Sequence, residues 1–127
     1  MREINLEIGA LNFKAQLDDT PTADAIFDAL PIEASSITWG DEIYFEIPVQ
    51  ADLEEEARAG VKIGDLAYWP AMPAFCIFFG PTPASIGKEP RAASPVNIFG
   101  RLFDFDPEEL RRVRQGERVI ISEANTA

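Results

Sequence analysis

The sequence predicts a mainly β protein, a closed and mostly antiparallel barrel with two short helices over its openings. Three observations carry this. Apolar and polar residues alternate with a period of two through much of the chain. The period becomes helical in only two places, residues 21–30 and 107–114. No strand–helix–strand alternation and no internal repeat is present, which argues against a parallel sheet. The chain, residues 1–127, reads as one domain, because 127 residues with 46% hydrophobic content build one core and are too few for two ordinary ones.

Ile4, Leu6 and Ile8 alternate with Glu3, Asn5 and Glu7, and Leu11, Phe13, Ala15 and Leu17 alternate with polar partners. These make two strands joined at Gly9–Ala10. Ala23, Ile26, Phe27 and Leu30 share one face of a helix. Thr20 or Thr22 caps it, Pro21 is tolerated at its start, and Pro31 ends it. Residues 32–49 read as a second hairpin turning at Gly40–Asp41. Ile43, Phe45 and Ile47 form one face of it, and Glu42, Tyr44 and Glu46 the other, with Trp39 opposite Glu42. Residues 50–64 are a charged connection whose acidic run is solvated surface.

Leu66–Trp69 is a strand broken by Pro70 and Pro73, and Phe75–Phe79 is a continuous apolar strand. Residues 80–95 form a long loop. Residues 96–105 are a strand in which Gly100 marks a bulge or a close backbone contact. Asp106 caps a short helix that begins at Pro107 and ends toward Gly116. Residues 117–122 are the last strand, and the tail is frayed.

Composition narrows the function. Eleven basic against 22 acidic residues give a net charge of −11, which disfavours nucleic acid and membrane surfaces as partners. There is no histidine, which excludes Ser–His–Asp and Cys–His chemistry and removes the commonest metal ligand. No metal and no cofactor is expected. Cys76 is the only cysteine, so no internal disulfide forms, which suits a cytoplasmic location. No stretch has the length of a signal peptide's apolar segment or of a membrane span.

The order of these elements resembles a cyclophilin. "GDLAYWP" followed by "FCIFFG" is similar to that family's glycine-opened strand and its Phe-Phe-rich strand. "VNIFGRL", a short helix and "ERVIIS" are similar to its closing strand, helix and last strand. With "WGDEIYF" and "FFGPTP", the whole chain is similar to short prokaryotic cyclophilin-like domains. The resemblance implies the barrel and a pocket of unassigned ligand. Cyclophilin isomerases carry Phe-His-Arg where this sequence has "TWGDEIYF", and Gln-Phe-Phe where it has "AFCIFF". The cationic donor that would stabilise a twisted imide nitrogen is missing, so isomerase activity is expected to be absent.

The expected function is binding of a small molecule or peptide at an aromatic surface cleft. Trp39, Glu42 and Tyr44 form one wall, and Tyr68, Trp69, Phe75 and Phe79 supply a second, opened by the prolines. Asn97 and Arg101 make a polar end, with Arg101 free to hold a carboxylate or to pair with a local acid. Arg91 and the loop 80–95 serve as a cover. The alternative is an enzyme, either a diverged peptidyl-prolyl isomerase or a catalyst using Glu42 and Arg101. A homo-oligomer stays open.

Overall fold

The structure, a computed structural model, describes residues 2–124. Alternation at the start of the chain makes β1 (Glu3–Ile8) and β2 (Leu11–Leu17), an antiparallel pair. They turn at Gly9, whose φ of +58° is backbone that glycine enters without strain. The Thr20 hydroxyl accepts from the Ala23 N–H, and Pro21 opens α1 (Pro21–Asp28). There follow β3 (Ile32–Ser35), β4 (Ile37–Thr38), β5 (Glu42–Glu46), β6 (Arg58–Gly60), β7 (Asp65–Trp69) and β8 (Ala74–Phe78). The chain continues with β9 (Arg91–Phe103), α2 (Pro107–Arg111) and β10 (Arg118–Glu123).

The strands lie in the order β3-β10-β1-β2-β9-β7-β8-β5-β4, with β6 paired to β9 off this path. Every pairing is antiparallel. This order has two ends, so among the described residues ladder hydrogen bonds do not close the sheet into the expected barrel. The cause is local. β3 and β4 are successive pieces of chain parted by Ser36, yet β3 pairs with β10 and β4 with β5. The turn after α2 takes Ser36 out of both ladders. Its N–H donates to the Glu117 carbonyl at 2.9 Å and its carbonyl accepts from the Gly116 N–H at 2.7 Å. Its hydroxyl donates to the Arg114 carbonyl at 2.7 Å. α2 stops at Arg111, short of residue 114, as the Arg112 and Val113 N–H groups bond only three residues back, to Glu109 and Leu110, at 3.1 Å.

Other expectations need similar correction. The second hairpin is confined to Ile37–Glu46, because β3 is claimed by β10. The charged connection contains β6, and the loop is shorter than expected because Arg91–Pro95 belong to β9. Pro95 lies where the β6–β9 register shifts, so its missing N–H breaks no regular ladder. Glu123 is in β10 and the Ala124 N–H donates to the Glu3 carbonyl at 3.0 Å. Residues 125–127 of the tail lie outside the described residues.

Gly100 satisfies both readings made of it. A Cβ there would sit 2.4 Å from the Gln16 carbonyl oxygen. Leu66 faces Gly100 while Ala67 faces Ile98, so Phe99 is an extra residue in β9.

The two faces of the sheet carry two apolar clusters. The larger gathers β1, β2, α1 and the inward side chains of β5, β7, β8 and β9. Phe75 lies at its centre, stacked on Phe45 at 5.0 Å and edge-on to Phe99 at 5.0 Å. The smaller lies on the outward face, where Ala67, Ala74, Cys76, Phe78 and Val96 pack with Tyr44 and Trp69. None of the described helices is long and apolar enough to cross a membrane.

Candidate functional site

The outward cluster is incompletely covered, and the gap is a cleft of about 230 Å³. Strand parity supplies its floor. Tyr44 on β5 pairs with Cys76 on β8, and Cys76 pairs with Ala67 on β7, so these side chains share the outward face. Glu42 is on the same parity, two residues before Tyr44. Trp39 joins it through the two-residue turn, in which Trp39 and Glu42 exchange backbone hydrogen bonds of 2.9 and 3.1 Å. The turn needs a glycine at position 40: its φ is +59°, and a Cβ would lie 2.8 Å from Pro83. Trp69 closes one side, its indole N–H donating to the Ser94 hydroxyl at 2.9 Å. Ala92, Ala93 and Val96 of β9 complete the rim.

Glu42 is the anomaly in this apolar setting. It is 6% exposed, and no lysine or arginine lines the cleft. Loss of solvation raises its carboxyl from 4.5 to about 7, and a hydrogen bond with the Cys76 thiol opposes only part of this. Burial, then the charge and hydrogen bonding of Glu42, push the Cys76 thiol well above its ordinary value. The thiol is therefore a poor nucleophile and a weak donor to the acid beside it.

Of the ten side chains expected at the site, Trp39, Glu42, Tyr44 and Trp69 come together here. Tyr68, Phe75 and Phe79 do not, because their parity turns them into the larger cluster. The Tyr68 hydroxyl donates to the Val49 carbonyl at 2.7 Å and accepts from the Ala51 N–H at 3.1 Å, tying down the chain after β5. Arg91 begins β9 and lies beside Ile86–Pro90, away from the cleft. Asn97 and Arg101 line a separate depression with Asp18, Thr20 and Glu54. The bulge at Phe99 also breaks the parity that linked these two: Asn97 pairs with inward Tyr68, whereas Arg101 pairs with Asp65 and is exposed. Arg101 takes the salt-bridge option, with Asp18 at 3.6 Å.

Residues 80–90 do not line the cleft either. They are strapped to the Gly40–Asp41 turn, where the Asp41 N–H donates to the Pro81 carbonyl at 3.0 Å. Pro70 and Pro73 lie in the loop joining Trp69 to Ala74, not at a cleft edge. Cys76, Ala92, Ala93, Ser94 and Val96 line the cleft without being among the ten expected residues. The parity of β8 pointed to Cys76, and the expected cover of residues 80–95 included residues 92–94 without singling out any of them.

The chain belongs to the cyclophilin-like family, whose pattern matches residues 2–122. In particular it is similar to a hypothetical protein of Archaeoglobus fulgidus, known from its solution structure. The two are 38% identical, with a TM-score of 0.82 over 97% of this chain and 95% of that one. Comparison with curated proteins finds no match.

Proposed function

We propose that the protein is a binding module whose outward cleft takes a small molecule or a side chain of a peptide. The observation that carries this reading is the cleft's make-up: three aromatic side chains around one nearly buried carboxyl whose protein partner is a weak thiol donor. An apolar wall with few polar groups is the usual constitution of a ligand site. A cytoplasmic setting fits the single buried thiol.

Isomerase activity is not part of this reading. The X–Pro barrier of ~18–20 kcal/mol falls only where a donor stabilises the transition state, and the lining offers no cationic one. The protein is expected to leave X–Pro exchange at the background rate in an NMR or protease-coupled assay. Turnover comparable to an ordinary cyclophilin would overturn this. A fragment screen followed by amide shifts tests the binding itself. Hits should move the signals of Trp39, Tyr44 and Trp69, and Trp39→Ala should abolish them while leaving the fold intact. Hits that cluster elsewhere would contradict the assignment.

A second reading, an enzyme, is favoured by one observation. An acid that titrates at about 7 is suited to proton transfer at neutral pH. Arg101 takes no part in it, since it lines a different depression.

A further inference from the structure

We infer that the ligand of this cleft is an organic cation, an ammonium group on a small apolar skeleton, held by the Glu42 carboxylate among Trp39, Tyr44 and Trp69. This rests on reading the cleft as a ligand site and names the chemistry it selects. Glu42 is a buried acid whose cleft holds no cationic side chain. Among the described residues, the other buried polar side chains bond to oxygen or nitrogen groups of the protein. Asn97 bonds three groups, and Ser36 bonds Arg114 and Glu117. Asp65 accepts from the Lys62 N–H at 2.9 Å. Glu42 has only a thiol.

The surroundings contribute no charge to compensate it. From β5 it is faced by Tyr44, from β8 by Cys76, from β7 by Trp69, and from β9 by small or apolar residues and Ser94. Asp41, next in sequence, is engaged by Arg111 at 3.1 Å. A carboxylate in such a place attracts a cation and repels an anion, and the faces of Trp and Tyr reinforce that preference. The overall charge of −11 steers the same class of ligand. The size is also set. A cleft of about 230 Å³ holds the equivalent of seven or eight waters at roughly 30 Å³ each, so it takes a small amine or the end of one side chain.

Binding is then linked to a proton. Below neutral pH Glu42 is protonated and offers the cation only a neutral dipole; above it the carboxylate is available. Affinity for an ammonium ion therefore rises with pH through neutrality, and binding below that point releases a proton.

Three probes with one carbon skeleton test this: 3,3-dimethylbutylamine, 3,3-dimethylbutan-1-ol and 3,3-dimethylbutanoate, each titrated by NMR at pH 6 and pH 8. At pH 8 the ammonium should bind at least tenfold tighter than the alcohol, and the carboxylate weakest. At pH 6 the preference of ammonium over alcohol should shrink several-fold. Glu42→Gln should abolish the preference at pH 8 while leaving alcohol binding in place. Equal binding of amine and alcohol, or a preference that survives Glu42→Gln, would overturn the cation assignment yet leave the binding cleft standing. Failure of all three probes to shift any cleft residue would overturn both.

Discussion

Asn97 and Glu42 are both buried polar residues on strands of one sheet, and they differ in how their polarity is answered. Asn97 lies 1% exposed on the inward side of β9. Its amide donates to the Thr22 hydroxyl at 3.0 Å and the Asp52 carbonyl at 2.8 Å, and its oxygen accepts from the Glu54 N–H at 2.8 Å. Thr22 in turn donates to the Glu54 carboxylate through both its N–H and its hydroxyl. This network fastens α1 and the 52–54 segment over the sheet. Glu42 lies on the outward side of β5, against a thiol and aromatic rings. A buried polar group bonded throughout by the protein fixes the fold, whereas a desolvated acid with no cationic partner costs stability when it ionises and is suited to a ligand that supplies the cation. The difference separates a polar site closed by the fold from the proposed ligand cleft.

The largest effect should come from the structural side. Asn97→Leu strands the Glu54 N–H and the Asp52 carbonyl, removes the bond that the Thr22 hydroxyl accepts, and should destabilise the protein by about 3 kcal/mol in urea unfolding, at any pH. A loss under ~1 kcal/mol would break the contrast. Glu42 should behave in the opposite sense. Its folded carboxyl titrates at about 7 against 4.5 unfolded, so the folded chain holds an extra proton between those values. Stability therefore falls as pH rises from about 4.5 to about 7, by roughly 3 kcal/mol at most. Glu42→Gln should recover most of that at pH 8 and nearly none at pH 4. The same burial protects Cys76, which is 2% exposed. Its alkylation at pH 8 should be at least ~100-fold slower than that of a free thiol, and faster modification would mean the cleft floor opens. The smallest effect belongs to Arg101→Ala. Its ion pair with Asp18 is exposed, so stability should change by less than ~0.5 kcal/mol and cleft binding not at all.

Much of the scaffold was legible because its signals are local. Thr20 and Pro21 announce α1, Gly40–Asp41 announces its turn, and period-two parity sorts Phe45 from Tyr44. Period two puts Tyr68 and Trp69 on opposite sides of their strand, but it does not say which side is interior. That is why Tyr68, Phe75 and Phe79 were expected at the site beside Trp69. What stayed hidden depends on distant partners. The three residues of β6 have no pattern of their own and exist by pairing with β9. The open seam at Ser36 is set by a turn some 80 residues away. The bulge at Phe99, flagged only as an option at Gly100, puts Arg101 on the opposite strand face from Asn97, although both still border one depression away from the cleft. Glu42 reads from the sequence as a carboxylate on the cleft wall beside Trp39 and Tyr44, but its depth of burial does not. Its burial comes from Trp69 and the start of β9, neither of which is near it in sequence.

The state of one carboxyl decides between a ligand cleft and an ordinary surface groove, and a pH titration of the Glu42 side-chain carboxyl carbon by NMR observes it directly. The expected midpoint is about 7, well apart from the bulk of the chain's carboxylates. A midpoint in the ordinary range near 4.5 would show a solvated or paired acid and contradict the claim that this cleft holds an unanswered charge.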